Sequence, residues 1–285
     1  MAGILYVVAT PIGNLEDVTL RALRILREVS LIAAEDTRRT ARLLQHYSIS
    51  TRTTSLHEHN EHDRTPALVD RLRAGDSIAL VSDAGTPLIS DPGQTLVAAA
   101  RAAGIRVESI PGPSAVMAAL STSGLETGEF VFLGFPPTRS KDRKAWFDGL
   151  KAQTRLAVFF EAPHRIRRTL ADLGDFLGAD RTIALGRELT KVHEELVIWP
   201  IYKQLEHFAM PKGEFTVLVP PPALADGEGK PAPDLAQLAV ELGYLTNNQS
   251  LTKRMALKVL AERYGMAVNE LYRLLGGSGG GGQTT

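Results

Sequence analysis

The first half of the chain alternates short apolar runs, often β-branched, with longer amphipathic stretches, and this alternation constrains the fold more than any other feature. The apolar runs predict strands at residues 4–9, 31–35, 77–82 and 105–110. The stretches between them predict helices at residues 18–29, 37–47, 63–74 and 94–103. Strands alternating with helices are typical of a mostly parallel sheet covered by helices. Residues 1–123 are therefore predicted to form an α/β domain.

From residue 124 onwards the predicted strands follow one another more closely and helices become fewer. Strands are predicted at residues 130–135, 156–161, 182–187, 195–199 and 215–219. Helices are predicted at residues 143–151, 164–177 and 201–208. Runs of strands with fewer helices favour a mixed-sheet α+β domain, here over residues 124–219.

The C-terminal part differs in composition from the rest of the chain. Residues 220–233 are rich in Pro, Gly and Ala and are predicted to be a linker. Residues 234–276 carry apolar faces of helical period and predict a small helical module that resembles a helix-turn-helix, with a turn at Gly265 and an N-cap at Asn269. Residues 277–285 are predicted to be a flexible tail.

Composition excludes several classes of protein. The chain contains no cysteine, so disulfides, thiolate metal sites and thiol nucleophiles are excluded. Its 32 basic and 32 acidic side chains balance, which argues weakly against a protein that coats nucleic acid but allows local basic faces. The apolar N-terminal run is stopped by Pro11 and Gly13, far short of the roughly 20 residues that span a bilayer. A cytoplasmic protein with no membrane role is expected.

Several common site motifs are missing or weak. No Gly-rich dinucleotide fingerprint follows a predicted strand, and no P-loop or nucleophile elbow is present, which disfavours NAD-type enzymes, P-loop NTPases and serine hydrolases. The run His-Glu-His-Asn-Glu-His at residues 57–62 concentrates possible metal ligands, but its spacing is not that of a zinc protease. We expect no metal there and favour a polar loop that touches substrate over a plain solvated loop, with Asp63 capping the next helix.

Three loops rich in Gly and Pro follow three of the predicted strands. They are Thr-Pro-Ile-Gly-Asn-Leu at residues 10–15, Asp-Ala-Gly-Thr-Pro-Leu-Ile-Ser-Asp-Pro-Gly at residues 83–93 and Pro-Gly-Pro-Ser-Ala at residues 111–115. Open α/β sheets bind ligands at the carboxyl ends of their strands. Gly lets the backbone approach a ligand closely, and Pro stiffens a loop before binding. One such loop would be an ordinary turn, but three that converge favour a ligand site.

Seven segments of the chain resemble one enzyme superfamily. ATPIGNLEDVT, AAEDTRRT, LHEHNE, VSDAGTPLISDPG, IPGPSAV, FFEAPHRI and GRELTKVHEE occur in this order over roughly residues 3–219. Together they resemble the tetrapyrrole methylase superfamily, and more narrowly its bacterial members that methylate a cytidine ribose 2′-oxygen of 16S rRNA with S-adenosylmethionine. The combination of TPIGN with SDAGTPLISDPG is highly specific.

The resemblance implies a bilobal enzyme, usually a homodimer, with S-adenosyl-L-methionine in the cleft between the two lobes. Pro11 and Gly13 would border the methionine end of the cofactor, and the loop that starts at Asp83 would supply backbone groups, although many superfamily members have a shorter Gly-Asp-Pro loop there. The implied cofactor residues are Pro11, Gly13, Asp83, Ala84, Gly85, Thr86, Pro87, Ile89, Ser90, Ser114, Ala115, Phe160, Glu161 and Leu189.

Methyl transfer to a ribose hydroxyl benefits from a general base, and several residues are candidates. Glu35, Asp36 and Asp83 follow predicted strands and are the first candidates, with Glu161, Lys191 and His57 as alternatives. Asp36 could equally be the N-cap of the helix that starts after it. The residues alone do not single out one base.

Binding of 16S rRNA in the small ribosomal subunit requires contacts to phosphates. The candidate RNA-binding residues are Arg38, Arg39, His57, Asn60, Arg139, Lys141, Arg143 and Arg165. Each basic cluster taken alone is also compatible with a solvated helix face. Trp146, Phe135 and Tyr47 could offer stacking surfaces to an unstacked base, although core packing is the favoured role for Phe135.

Two alternative functions are also compatible with the sequence. A small-molecule methylase acting on a tetrapyrrole would share the cofactor loops, but the basic clusters and the helical module argue against it. A noncatalytic RNA-binding assembly factor is the second alternative, and the intact cofactor loops argue against it. The helical module itself could either grip RNA or dock on the rest of the protein.

Overall fold

The computed structural model describes residues 2–222, 235–247, 251–264, 266 and 268–276. The chain divides into two compact units, Met1–Pro221 and Pro222–Thr285. In the described ranges, every helix is too short or too polar to cross a bilayer.

The first sheet of the larger unit is parallel, as the sequence predicts. Its strands are β1 (Ile4–Val8), β2 (Leu31–Ala34), β3 (Thr53–Ser55), β4 (Ile78–Val81) and β5 (Arg106–Ile110), in the order β3-β2-β4-β1-β5. The helices are α1 (Leu20–Glu28), α2 (Thr37–His46), α3 (Glu61–Arg73) and α4 (Gln94–Ala102). Strands β2 and β4 are buried along their whole length, which explains their continuous apolar sequences. Strand β3 was not predicted, because it is a short, polar strand at the edge of the sheet.

The second sheet is mixed. Its strands are β6 (Phe130–Phe132), β7 (Leu156–Glu161), β8 (Thr182–Arg187), β9 (Glu195–Pro200) and β10 (Phe215–Val219), in the order β6-β7-β10-β8-β9. Strand β6 pairs with β7 in parallel, and the other neighbours are antiparallel. The helices are α6 (Ser140–Lys151), α7 (Pro163–Leu177) and α8 (Ile201–His207). The predicted fold class, a parallel α/β sheet followed by a mixed sheet, is confirmed.

Helix α5 (Ala115–Ser123) was not predicted and links the two sheets. Its sequence, AVMAALSTS, has small and apolar residues on all sides and therefore lacks an amphipathic period. It packs against β9 and β10, and Val116 and Leu120 share a core cluster with Val158 and Leu218. Although α5 precedes residue 124, it packs on the second sheet. The domain boundary at residues 123 and 124 stays a prediction.

The loop before α3 differs from its prediction. Helix α3 begins at Glu61, so Asp63 lies in its first turn and the expectation that Asp63 caps this helix is wrong. The buried Glu61 carboxylate instead accepts the N–H groups of Thr95 at 2.7 Å and Leu96 at 3.1 Å. Helix α4 follows Gly93, which has no side chain to cap it, and Glu61 supplies the missing acceptor from another helix.

The smaller unit is helical. It contains α9 (Leu235–Asn247), α10 (Lys253–Tyr264) and α11 (Val268–Gly276). Its apolar core includes Leu238, Leu245, Leu257, Leu260 and Leu271. Helix α11 begins at Val268, so Asn269 lies inside the helix and is not its N-cap, contrary to the prediction. The predicted turn at Gly265, most of the predicted linker and the predicted tail lie outside the described residues.

Candidate functional site

A cavity of about 340 Å³ lies between the two sheets of the larger unit. From the first part of the chain it is lined by Ile12, Ala84, Gly85, Thr86, Ile89, Ser114 and Ala115. From the second part it is lined by Phe135, Phe160, Glu161, Ala162, Pro163, Leu189, Glu214, Phe215 and Thr216. Two of the three Gly/Pro loops thus supply several of the lining residues, and the loop after β1 supplies Ile12.

Backbone hydrogen bonds hold these loops together. The Thr10 N–H donates to the Gly85 carbonyl at 2.9 Å, and the Gly85 N–H donates to the Thr10 carbonyl at 2.9 Å. The Thr86 hydroxyl donates to the Pro113 carbonyl at 3.2 Å. Gly85 has φ of +78°, a conformation that L side chains rarely adopt. The three loops therefore form one connected wall of the cavity, with a glycine at its centre.

Two residues in the loop after β4 adopt left-handed backbone conformations without being glycine. Leu88 has φ of 73° and Ser90 has φ of 67°. Each such residue costs on the order of 1–3 kcal/mol and persists only where the surroundings hold it. Strain of this kind is concentrated at ligand sites, and here it flanks Ile89, which lines the cavity.

Some predicted cofactor residues do not line the cavity. They are Pro11, Gly13, Asp83, Pro87 and Ser90. A Cβ atom built on Gly13 would lie 2.3 Å from Lys191 Cγ and 3.1 Å from the carbonyl oxygen of Leu189, which lines the cavity, so this glycine lets the loop after β1 pack closely against that segment. The expectation that Gly13 borders a ligand stays a prediction.

Lys191 is held in ion pairs with two glutamates. Its Nζ donates to Glu188 Oε1 at 2.8 Å and to Glu214 Oε2 at 3.0 Å. Burial opposes the charge, but hydrogen bonds to both carboxylates outweigh it, so the pKa of Lys191 is raised. Lys191 therefore stays protonated near neutral pH, which argues against its role as a general base.

The carboxylates of Glu35 and Asp83 connect the ends of β2 and β4. Glu35 accepts the Asp83 N–H at 3.1 Å, and Asp83 accepts the Asp36 N–H at 3.0 Å. Asp83 also pairs with Arg39 at 3.3 Å. Burial, together with the nearby charge of Asp83, raises the pKa of Glu35. Neither carboxylate lines the cavity, but Asp83 directly precedes Ala84, which does.

Asp36 caps the N-terminus of helix α2. Its carboxylate accepts the Arg38 N–H at 2.8 Å and pairs with the Arg38 guanidinium at 3.1 Å, which lowers the pKa of Asp36. The structure thus supports the N-cap alternative for this residue.

The sequence analysis did not single out Asp91 as a candidate site residue. Asp91 lies near the charges of Glu35 and Asp83, and burial raises its pKa to about 6.

Two of the arginines predicted to bind RNA point into the protein. Arg143 is 4% exposed, pairs with Asp172 at 2.6 Å and donates to Thr169 at 2.8 Å and to the Pro137 carbonyl at 3.2 Å. The expectation that Arg143 contacts phosphate is therefore wrong, because its guanidinium is buried and each of its three nitrogens bonds to the protein. Arg165 pairs with the buried Glu161 at 3.2 Å and donates to the Pro136 carbonyl.

The other candidate RNA contacts fall into two groups. Arg38, Arg39, Arg139 and Lys141 are exposed. His57 and Asn60 are half-buried and bond to each other, because Asn60 Oδ1 accepts the His57 N–H at 2.9 Å and its amide nitrogen lies 3.1 Å from His57 Nε2. In the described part of the chain, the His, Asp and Glu side chains form no cluster of three that could hold a metal ion.

The three aromatic residues proposed for stacking on a base lie in different environments. Trp146 packs edge-on against Phe147 and Phe159 in the core, and the Tyr47 hydroxyl donates to the Leu15 carbonyl at 2.6 Å. Phe135 is 48% exposed and lines the cavity, with its ring centroid 5.6 Å from that of Phe160. Of the three, Phe135 is the one whose ring remains open at the site.

Several lining residues were not predicted. Ile12, Ala162 and Pro163 are direct chain neighbours of predicted residues or motifs. Residues 214–216 are far away in sequence, and they reach the cavity because β10 pairs with β7 in a register that sets Phe215 opposite Glu161. Predicting these residues would have required the antiparallel pairing of β10 with β7, which has no local sequence signal.

Known proteins resemble this chain in both sequence and structure. The family model of the tetrapyrrole (corrin/porphyrin) methylases matches residues 4–204. Proteins named ribosomal RNA small subunit methyltransferase I are similar along nearly the whole chain: the one from Synechocystis is 47% identical over 95% of this chain and 97% of its own length. The one from Vibrio cholerae is 46% identical over 95% of this chain and 94% of its own length.

Solved structures agree on the fold. A crystal structure of diphthine synthase superposes with a TM-score of 0.62 at 16% identity, covering 76% of this chain and 90% of that protein. Uroporphyrin-III C-methyltransferase from Thermus thermophilus, complexed with S-adenyl homocysteine, superposes with a TM-score of 0.55 at 18% identity, covering 76% of this chain and 97% of that protein. The chain belongs to the tetrapyrrole (corrin/porphyrin) methylase family and, within it, to the ribosomal RNA small subunit methyltransferase I group.

Proposed function

We propose that this protein transfers a methyl group from S-adenosylmethionine to the 2′-oxygen of a cytidine ribose in 16S rRNA of the small ribosomal subunit. The observation that carries the proposal is the cavity in which the Gly/Pro loops of the first sheet meet the ends of β7 and β10. Exposed cations lie close to the lining segments, since Arg39 pairs with Asp83 and Arg139 follows Phe135 by four residues. The relatives' names point to a ribosomal substrate.

The cavity suits S-adenosylmethionine in size and chemistry. Its volume of about 340 Å³ falls within the range of about 300–1,000 Å³ that is common for small-molecule sites. Apolar side chains such as Leu189 and Phe160 offer surface to an adenine ring, and the left-handed Gly85 lets the backbone come close. The residues that would hold the cofactor are Ala84, Gly85, Thr86, Ser114, Ala115, Phe160, Glu161, Leu189 and Thr216. Pro11, Asp83, Pro87 and Ser90 would shape these loops from behind.

When bound, S-adenosylmethionine supplies a methyl group that its sulfonium sulfur already activates. The task of this chain is then to hold the ribose hydroxyl in line and to keep water out, and positioning of this kind can supply most of the rate acceleration. The interlocked loops around Thr10, Gly85 and Thr86 provide the rigid frame that such positioning requires.

The hydroxyl must lose its proton as it accepts the methyl group. Among the candidate acceptors, Glu35 is favoured, because the oxygens of Asp36 are bonded to α2 and Arg38 and those of Asp83 to the Asp36 N–H and Arg39. The raised pKa of Glu35 brings it closer to the range in which a base works best near neutral pH. Glu35→Gln should lower the rate of methylation and move its dependence on pH, with little effect on cofactor affinity.

Exposed arginine and lysine side chains would contact the RNA backbone. Arg38 and Arg39 extend from the start of α2, and Arg139 and Lys141 lie at the start of α6. Each phosphate contact should make RNA binding more sensitive to salt, because binding releases condensed counterions. The smaller unit adds exposed basic residues, Lys253, Arg254, Lys258 and Arg273, and RNA is one of its two candidate partners.

We also propose that the protein works as a homodimer in the cytoplasm, where ribosomal subunits are its substrate. The exposed apolar side chains of Leu20 and Val192 support an interface. The segments that carry them are joined by the hydrogen bond from the Asn14 N–H to Thr190 Oγ1 at 3.2 Å. Light scattering should give twice the monomer mass, and replacing both side chains by Glu should return the monomer.

The function can be tested by methyl transfer in a purified system. The protein is mixed with S-adenosylmethionine carrying a labelled methyl group and either unmethylated small ribosomal subunits or a tetrapyrrole such as uroporphyrinogen III. We expect label in 16S rRNA alone. Label in the tetrapyrrole would support the small-molecule methylase, and RNA binding with no transfer to either acceptor would support a noncatalytic assembly factor.

A further inference from the structure

The lining of the cavity has a buried floor and an exposed mouth. Gly85, Leu189, Phe215 and Thr216 are buried, and they form the floor. At the mouth, two large apolar side chains are open to solvent: Ile89 is 46% exposed and Phe135 is 48% exposed. Large apolar groups left in water beside a ligand cavity are a common sign of a binding surface.

The two mouth residues follow strands of different sheets but line the same cavity. Ile89 is in the loop after β4, and Phe135 follows β6. A Cβ atom built on Gly134 would lie 3.5 Å from Ser90 Oγ, so the two loops touch through the direct neighbours of these two residues. Ile89 and Phe135 are therefore carried by two loops that meet at the mouth of the cavity.

This exposed surface is held in place by the groups behind it. Arg165 binds the Pro136 carbonyl and Arg143 binds the Pro137 carbonyl, which fixes the loop directly after Phe135. On the other side, Leu88 and Ser90 hold Ile89 between two left-handed backbone positions. A surface that is already ordered loses little conformational entropy when a ligand binds.

We propose that Phe135 and Ile89 form the platform on which the target nucleobase stacks after it leaves the RNA helix, while the floor of the cavity holds the cofactor. The proposal rests on the proposed function. An exposed phenyl ring suits the flat face of a base, because stacking on aromatic side chains tolerates every base. Exposed cations suit the flanking phosphates: Arg39 pairs with Asp83 at the start of the loop that carries Ile89, and Arg139 and Lys141 follow Phe135 in the chain.

The adenine of S-adenosylmethionine is as flat as the target nucleobase, so the test must show which of these two rings Phe135 contacts. Calorimetry with S-adenosylhomocysteine measures the cofactor arm. Binding of unmethylated small ribosomal subunits, in saturating S-adenosylhomocysteine, measures the RNA arm. The variants are Phe135→Ala, Phe135→Trp and Ile89→Ala, and the matched control is Tyr202→Ala, which removes an aromatic ring that is 47% exposed but does not line the cavity.

We expect Phe135→Ala to weaken subunit binding about tenfold or more and to leave S-adenosylhomocysteine affinity within about twofold. Ile89→Ala should show a smaller loss in the RNA arm, while Phe135→Trp and Tyr202→Ala should behave like the unchanged protein. A tenfold loss in the cofactor arm would mean that Phe135 covers adenine and would overturn the platform. Unchanged binding in both arms would overturn it as well.

A second measurement tests whether the Phe135 side chain contacts the target base directly. Small subunits are reconstituted with 16S rRNA that carries an abasic ribose at the methylated position. If Phe135 stacks on that base, removing the base should cost the unchanged protein about as much affinity as Phe135→Ala does, and should cost Phe135→Ala little more. Additive losses would refute the contact. If the unchanged protein fails to bind or methylate the natural subunit, the proposed function itself has failed, and the inference falls with it.

Discussion

Replacing Glu61 by alanine should destabilise the larger unit through helix α4, although Glu61 lies in α3. The variant removes the acceptor of two N–H groups, those of Thr95 and Leu96, and leaves them without a partner near the start of α4. Hydrogen bonds to a charged group are worth about 1.5–3 kcal/mol, and a charge at a helix N-terminus adds up to about 2 kcal/mol in partly buried geometries. Since both bonds end on one oxygen, we expect a total loss of about 2–4 kcal/mol.

The assay is thermal unfolding followed by circular dichroism or calorimetry. A loss of about 2–4 kcal/mol should lower the melting temperature by roughly 5–12 °C in a domain of this size. Glu61→Gln keeps an acceptor oxygen and should lose less, and Glu58→Ala, at an exposed position in the same loop, should change nothing measurable. A melting temperature for Glu61→Ala within about 1 °C of the unchanged protein would refute the cap between helices.

Three shorter predictions concern the site. Because burial raises the pKa of Asp91 to about 6, its charge costs stability above that pH, so Asp91→Asn should raise the melting temperature at pH 8 and give no gain at pH 4. Arg143→Ala should lower the melting temperature strongly, since it removes a buried guanidinium that bonds to Asp172, Thr169 and the Pro137 carbonyl, whereas Arg139→Ala should spare stability and weaken RNA binding in a salt-dependent way. Gly85→Val should abolish calorimetric binding of S-adenosylmethionine in a folded protein, because φ of +78° excludes a branched side chain and its Cβ would lie 3.3 Å from Ile12.

The sequence predicted those parts of the fold that local pattern encodes. Strands β2 and β4 are buried on both faces, so their continuous apolar runs identified them, and the Gly/Pro loops identified the edge of the sheet where the cavity lies. Strand β3 gave no such signal, because it is polar and at the edge of the sheet. Helix α5 was missed because small residues on all sides leave no period to detect.

The site was harder to predict than the fold, because its contacts join distant segments. Arg143 belongs to a basic cluster that looks like a solvated helix face, and its burial depends on Asp172, which lies in another helix. The start of β10 reaches the cavity only through its pairing with β7. Gly13 packs against Lys191, which lies far away in the sequence. Local pattern carries no information on such pairs.

The central claim is that the cavity between the two sheets serves methyl transfer to a ribose oxygen in RNA. The most direct test is nuclease digestion and mass spectrometry of 16S rRNA from small subunits treated with the purified protein and S-adenosylmethionine. We predict one methyl group on the ribose of a cytidine, with the adjoining phosphodiester resistant to alkali because the 2′-hydroxyl is blocked. A methyl group on the base, or unmodified RNA after treatment with a protein that binds S-adenosylmethionine, would contradict the claim.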